Sequence, residues 1–247
     1  MSKFIEKLQQ VLQPPPQSMG FKTAQAEQAR PRIQLVVNIS GGKSKSSVKE
    51  LDMADALVSP NPAVGVDKTI SGSWLLKGDS EEVEKSIKSG VDFVILPANG
   101  EVIPPDKKIG KILQIEAAIT DVLLRTVNEL PVDAILLTED KESGLGLSWK
   151  RLMLIQRFSS ILNKPLLIEV LPDIIDTELQ QIWDAGISGI IISLDAEQAD
   201  SVVQKLRKAI EKLPFPSRRK RDKSLAILPR VEIEPEKPEE DEGDDDE

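Results

Sequence analysis

The chain has no histidine, no cysteine and no tyrosine in 247 residues, and only three tryptophans and five phenylalanines. Without histidine it lacks the side chain that ordinarily titrates near neutral pH, which excludes Ser–His–Asp hydrolysis and His-ligated zinc. Without cysteine there is no thiol nucleophile, disulfide or soft metal ligand. Acid–base work would therefore fall to Asp, Glu or Lys. The scarcity of aromatic rings weakens the case for sugar stacking or single-stranded nucleic-acid binding, both of which use ring platforms. Long apolar runs are also missing, so no segment has the roughly 18 apolar residues a membrane span needs. Glu6, Gln9 and Gln10 occupy the stretch that a signal peptide would keep apolar. A cytoplasmic protein is the expectation.

The formal charge of -9 is unevenly placed. Residues 232–247 hold 11 acids and one Lys, so residues 1–231 sum to +1. A nearly neutral body argues against a nucleic-acid partner. From Glu234 to Glu247 the sequence offers too little apolar surface to offset the entropy of ordering, and a disordered acidic tail is expected. The preceding cluster, Ser217-Arg218-Arg219-Lys220-Arg221-Asp222-Lys223, reads as a solvated linker, with Leu225–Ile233 able to pack.

What the chain does have is rhythm. Eight short apolar runs recur: Ile33–Ile39, Ala54–Ser59, Ser73–Lys77, Phe93–Pro97, Ile112–Glu116, Ala134–Thr138, Leu166–Glu169 and Gly189–Ser193. Helical patterns follow several of them, at Glu81–Ser89, Asp121–Glu129, Trp149–Leu162, Thr177–Ala185 and Ala196–Leu213. The connections Pro60–Ile70 and Asn99–Lys108 are Pro-rich and too short for a full helix. Four junctions resemble one another: Met53-Ala54-Asp55-Ala56-Leu57, Gly90-Val91-Asp92-Phe93-Val94, Pro131-Val132-Asp133-Ala134-Ile135 and Gly186-Ile187-Ser188-Gly189-Ile190. Each reads as a helix stop followed by a strand start, opening an even-numbered strand. A repeat of about 40 residues suits a βαβα pair, a quarter of a barrel.

These features predict an α/β chain folded as a (β/α)8 parallel barrel over residues 17–213, with degraded second and fourth helices. An open doubly wound sheet is the alternative. Residues 1–16 form an amphipathic helix with a Pro stop, the helix placing Phe4, Ile5, Leu8, Val11 and Leu12 on one face. That face suits a plug or lid on the barrel, or else contact with a partner or a membrane surface. Residues 214–233 are the basic linker and packing segment, and 234–247 the acidic tail. Through the Gly90–Leu96 type of junction and the eight strands, residues 31–213 resemble the TIM-barrel superfamily. The resemblance implies the fold and a site at the C-terminal ends of the strands. No member family's catalytic motif matches, so it implies no particular residues.

Alternation within the strands sharpens the site. Asn38, Lys77, Glu116 and Glu169 sit at similar places near the ends of the odd strands, and four such side chains would make one layer at the mouth. Lys77, Glu116 and Glu169 are the candidate catalytic set. The Lys would serve as an amine nucleophile, or the carboxylates as bases or metal ligands. The bland alternative is an ion-paired plug. A second candidate is the turn after the first strand, where Gly41, Gly42, Lys43 and Ser44 join Asn38 as ligand-binding residues. Their backbone N–H groups, amine and hydroxyl suit an anion cradle, the alternative being an ordinary flexible loop. It resembles the end of a phosphate-binding P-loop, but Val37 stands where that motif needs Gly. The turns after the seventh and eighth strands, Leu171-Pro172-Asp173 and Leu194-Asp195-Ala196, carry carboxylates that repel phosphate. Glu139 and Asp140 after the sixth strand read as capping or solvated groups, the alternative being an extension of an acidic or metal site, and Asp195 reads as the cap of the final helix.

Two functional readings stand side by side. One is a barrel binding a small polar or acidic molecule at its mouth, as a lyase or isomerase would. The other is a non-catalytic binding or assembly module, with the Trp149–Leu162 helix offering a face for a homo-oligomer. The cofactor is left open, and no residues are assigned to a metal.

Overall fold

A computed structural model describes residues 2–13, 31–39, 53–59, 69–102, 109–139, 146–194 and 199–216. Eight parallel strands pair in sequence order and close into a barrel: β1 Gln34–Ile39, β2 Ala56–Ser59, β3 Ile70–Trp74, β4 Phe93–Pro97, β5 Gly110–Glu116, β6 Ala134–Thr138, β7 Leu166–Val170 and β8 Gly189–Leu194. Helix α1 (Lys3–Leu12) precedes the barrel. Among the described residues α2 (Ser80–Lys88), α3 (Asp121–Thr126, continued by a 3-10 turn), α4 (Trp149–Ile161), α5 (Asp176–Ala185) and α6 (Ala199–Lys212) follow β3, β5, β6, β7 and β8. The acidic tail, the basic segment 217–223 and Leu225–Ile233 lie outside the described residues, as do most of the Pro-rich second and fourth connections.

The third strand corrects the sequence reading. It runs Ile70–Trp74 rather than Ser73–Lys77, and its faces are inverted: Ile70 and Trp74 pack with the lumen cluster, while Leu75 joins the outer cluster of Val83, Val91, Val94 and Leu96. The physical reason is Gly72. A Cβ there would lie 2.4 Å from Cζ of Phe93, so the ring of the neighbouring strand fills the lumen position that Gly72 leaves blank. A strand whose inward side chain is supplied by its neighbour shows no alternation to read.

Pairing offsets fix the barrel's geometry. Followed once around, the register returns to β1 displaced by eight residues. With eight strands this is the shear of a close-packed eight-stranded barrel, whose lumen fills in layers of four from alternate strands. Residues of equal height therefore step one position ahead of their pairing partners on each successive strand. Going up the lumen, the layers are Ala56, Phe93, Ala134 and Gly189; then Val36, Gly72, Ile112 and Leu167; then Val58, Ile95, Leu136 and Ile191. All these positions are buried.

The N-terminal end of this lumen is closed by α1, the plug that the amphipathic pattern allows. Phe4, Ile5 and Leu8 are at most 1% exposed and belong to the lumen cluster. They fit because the barrel wall is small there. A Cβ on Gly110 would meet Ile5 at 2.5 Å, one on Gly189 would meet Leu8 at 3.1 Å, and the Phe4 ring stacks on Phe93 with centroids 4.5 Å apart.

The repeated junctions explain how the helix is held. Backbone N–H groups of Asp55, Asp92, Asp133 and Ser188 donate to carbonyls of Leu35, Ser71, Lys111 and Leu166, latching each even strand to the odd strand before it. The carboxylates of Asp55 and Asp133 also accept from the N–H groups of Leu35 and Lys111, both at 2.9 Å. Asp92 is the exception. Its carboxylate accepts from the Ser2 hydroxyl at 2.6 Å and from the Lys3 and Phe4 N–H groups at 2.9 Å, binding the first turn of α1 where the helix dipole favours an anion. Asp55 adds Arg207 of α6, a two-pronged contact at 2.8 and 3.1 Å.

Candidate functional site

At the C-terminal end the lumen changes character. The layer above Val58, Ile95, Leu136 and Ile191 consists of Asn38, Trp74, Gln114 and Glu169, each half-buried. The Trp74 indole N–H donates to Oε1 of Gln114 at 3.2 Å, directly across β4, which fixes both side chains. The Asn38 amide donates to the hydroxyl of Ser193 at 3.1 Å. Next come Pro97, Thr138 and Ser193 from the even strands, with Ser193 exposed. The Thr138 hydroxyl donates to the Ile115 carbonyl at 3.3 Å. Glu116 stands one layer higher again and is exposed.

The mouth layer thus contains two of the four side chains expected from sequence, Asn38 and Glu169. Glu116 does face the lumen, two residues beyond Gln114, but above the layer rather than in it. Lys77 is not a member. It lies three residues past the end of β3 and is exposed, in a turn whose Lys77 and Gly78 N–H groups both donate to Glu82 at 3.1 Å. Gly78 adopts φ 65°, the left-handed conformation that lets this turn meet Gly100 after β4. A Lys set between two carboxylates is therefore not what the barrel builds. Gly41, Gly42, Lys43 and Ser44 lie outside the described residues, as do Asp140 and Asp195.

Sequence reasoning missed Trp74 and Gln114, which occupy the places assigned to Lys77 and Glu116. The signal that finds them is the shear: height in a tilted barrel is set by the pairing offsets, not by where each strand ends. It also missed Arg151. This α4 side chain is 3% exposed, pairs with Glu139 at 2.9 Å and donates to the Glu169 carbonyl, so it ties the ends of β6 and β7 together. Ser148 caps the same helix by accepting from the Arg151 N–H at 3.1 Å. Glu139, read from sequence as a solvated or capping group, is instead the partner of a buried guanidinium.

Outside the lumen, a pocket of about 260 Å³ lies between α4 and α5, lined by Leu147, Ser148, Trp149, Leu152, Glu178 and Gln181. Of the apolar side chains of α4, Ile155 and Phe158 are buried, whereas Trp149 is 81% and Met153 66% exposed. Among the described residues no group of three or more acidic side chains is disposed to hold a metal ion. None of the described helices is long and apolar enough to cross a membrane.

Eight strands in sequence order, a displacement of eight residues per circuit and a polar layer at the C-terminal mouth invite comparison with known barrels. Neither a family model nor a curated protein matches the chain. Solved structures do. A mutant tryptophan synthase alpha-subunit from the hyperthermophile Pyrococcus furiosus has a TM-score of 0.54 at 12% identity, over 73% of this chain and 97% of its own. A 3-hexulose-6-phosphate synthase has a TM-score of 0.51 at 14% identity, over 72% of this chain and 100% of its own. The fold is a TIM barrel. Identities this low show the fold alone, so the site of this TIM barrel has to be argued from its own side chains.

Proposed function

We propose that this TIM barrel binds a small polar molecule at its C-terminal mouth, and that Asn38, Gln114 and Glu169 form the floor of that site. One observation carries the reading. The layer Asn38–Trp74–Gln114–Glu169 is polar and half-exposed, while the three layers below it are apolar or glycine and fully buried. Polar groups converging over an apolar base are what a ligand site requires. The hydrogen bonds assign directions: with its amide given to Ser193, Asn38 offers an acceptor oxygen, and with its oxygen taken by Trp74, Gln114 offers donor N–H groups.

Chemistry at this mouth would run through carboxylates. Glu169 and Glu116 can act as general bases on a bound molecule, which suits a lyase or isomerase. Lys77 drops out of the set, because an amine beyond the strand end and exposed to solvent has no place over the floor. The names of the two neighbours describe synthases, one of a phosphorylated sugar. A phosphorylated ligand fits this chain poorly, since Glu169 and Asp173 stand in and after β7, where phosphate would be repelled.

The test is a thermal-shift panel of polar metabolites on the full chain, repeated on Asn38→Ala and Glu169→Gln. A ligand at 100 times its dissociation constant stabilises by about 2.7 kcal/mol. A hit that disappears in both variants supports the site. No hit, or hits indifferent to both substitutions, removes it. The second reading, a non-catalytic assembly module, draws on exposed Trp149 and Met153 beside the α4–α5 pocket. It gains if Trp149→Ala converts an oligomer to a monomer while the panel stays silent.

A further inference from the structure

We propose that two copies of this chain pair through the α4–α5 face, the Trp149 indole of each entering the α4–α5 pocket of the other. The inference rests on the assembly reading and names its partner as a second copy; it does not depend on a ligand at the mouth.

The first observation is an anchor and a socket side by side. The chain has three tryptophans, and two are committed inside it: Trp74 donates to Gln114, and Trp183 is 5% exposed against Phe215. Trp149, at the start of α4, is 81% exposed, with Met153 one turn further along at 66%. Tryptophan is enriched among the residues that carry the binding energy of protein interfaces. The pocket beside it, about 260 Å³, has room for such a ring. Leu147 and Leu152 supply an apolar wall, and Glu178 and Gln181 supply oxygens for the indole N–H, the partner that a buried tryptophan needs. Because anchor and socket share one face, a two-fold axis passing between the first turns of α4 and α5 engages each of them twice. An unrelated partner would have to bring both a knob and a socket of matching size. A second copy brings both.

The second observation is charge. α4 carries Lys150, Arg151 and Arg157 and no acidic residue, whereas α5 carries Asp176, Glu178 and Asp184 and no basic one. Four of these are engaged within the chain: Arg151 with Glu139, Arg157 with Asp121, Glu178 with the Ile175 N–H at 3.3 Å and Asp184 with the Gln180 amide at 3.0 Å. Lys150 and Asp176 are exposed at the starts of the two helices. The axis that seats Trp149 sets α4 of one copy against α5 of the other, so each Lys150 faces an Asp176 across it. Stacking α4 on α4 would oppose two lysines and leave both pockets empty.

Sedimentation of the full chain over a concentration series tests the pairing. A contact built on one face of two helices lies at the small end of interface sizes, so the expected dimer has a dissociation constant on the order of 10 μM. Trp149→Ala should weaken it about tenfold or more, and Gln181→Trp, which fills the socket and keeps the anchor, should weaken it as much. Lys150→Glu and Asp176→Lys should each weaken it several-fold by opposing like charges. Mixing those two variants should restore the dimer, because in the mixed pair every charge faces its opposite. All four positions are exposed, so the variants are expected to fold as the parent chain does. A dimer indifferent to these substitutions, or one that mixing fails to restore, overturns this pairing and leaves the assembly reading in place. A chain that stays monomeric at every concentration overturns the pairing and the assembly reading together.

Discussion

At the N-terminal end of the barrel the lumen positions are small, with Ala56, Gly110, Ala134 and Gly189 in the wall, and the space is taken by Phe4, Ile5 and Leu8 from α1. At the C-terminal end the same alternation of strands delivers Asn38, Trp74, Gln114 and Glu169, with exposed Ser193 just above. One end is sealed by apolar side chains of its own chain, and the other keeps polar groups half in contact with water. The contrast separates two duties that barrels of this kind keep apart, stability at the bottom and chemistry at the top. A well-filled lower lumen lets the mouth retain groups chosen for something other than stability.

The contrast can be broken most directly at its apolar end. Phe4→Ala removes a ring that is fully buried against Phe93 and should cost about 3–5 kcal/mol of unfolding free energy, read by chemical denaturation. A loss below about 1 kcal/mol would mean that α1 is an accessory. Next in size is Asp92→Ala, which strands the Ser2 hydroxyl and two N–H groups in the first turn of α1. It should cost about 1–3 kcal/mol. A protease-sensitivity assay should then show cleavage appearing first within residues 1–13. At the mouth, Asn38→Ala and Gln114→Ala should each move stability by less than about 1 kcal/mol in either direction. A larger loss at either position would put structural duty at the top and dissolve the division.

The smallest effect belongs to Lys164, which precedes β7 and donates to the Leu130 and Val132 carbonyls at 2.7 and 2.6 Å. Burial lowers the pKa of this amine below its ordinary 10.5, against the opposing pull of Asp133 and Glu129. The unfolded chain therefore keeps the proton to higher pH than the folded one does. Stability contributed by this group rises with pH through the window just below 10.5 and is flat on either side. Lys164→Met should abolish that rise, whatever it does to stability at neutral pH. An unchanged slope in the variant would assign the rise to other groups.

Much of this was legible in the amino-acid sequence, for reasons that can be named. β4 and β6 have the bounds their apolar runs suggest, and the four junction motifs do open the even strands, because a buried parallel strand is a nearly continuous apolar run with a polar stop. β3 was not legible: its inward position is Gly72, and a missing side chain leaves no phase to detect. At the mouth, Asn38 and Glu169 could be read because β1 and β7 end close to the height of the layer. Lys77 and Glu116 misled because strand ends do not share one height in a tilted barrel. Trp74 and Gln114 become visible only when the register is known. Arg151 needed its partner Glu139, which is twelve residues away across a segment with no regular pattern.

The seating of α1 has a consequence for the order in which the molecule forms. Phe4, Ile5 and Leu8 leave the ribosome before any strand of the barrel, yet their socket is built from Asp92 on the edge of β4, Gly110 in β5 and Gly189 in β8. Loop-closure entropy over such separations makes these contacts late ones. The helix can be made early but cannot seat fully until β8 has paired with β1 and the barrel has closed. Until then its apolar face waits in solvent, within reach of chaperones and other nascent chains. Protection of the Phe4 region from hydrogen exchange would thus mark the last step of folding, and α1 serves as the seal set once the wall is complete.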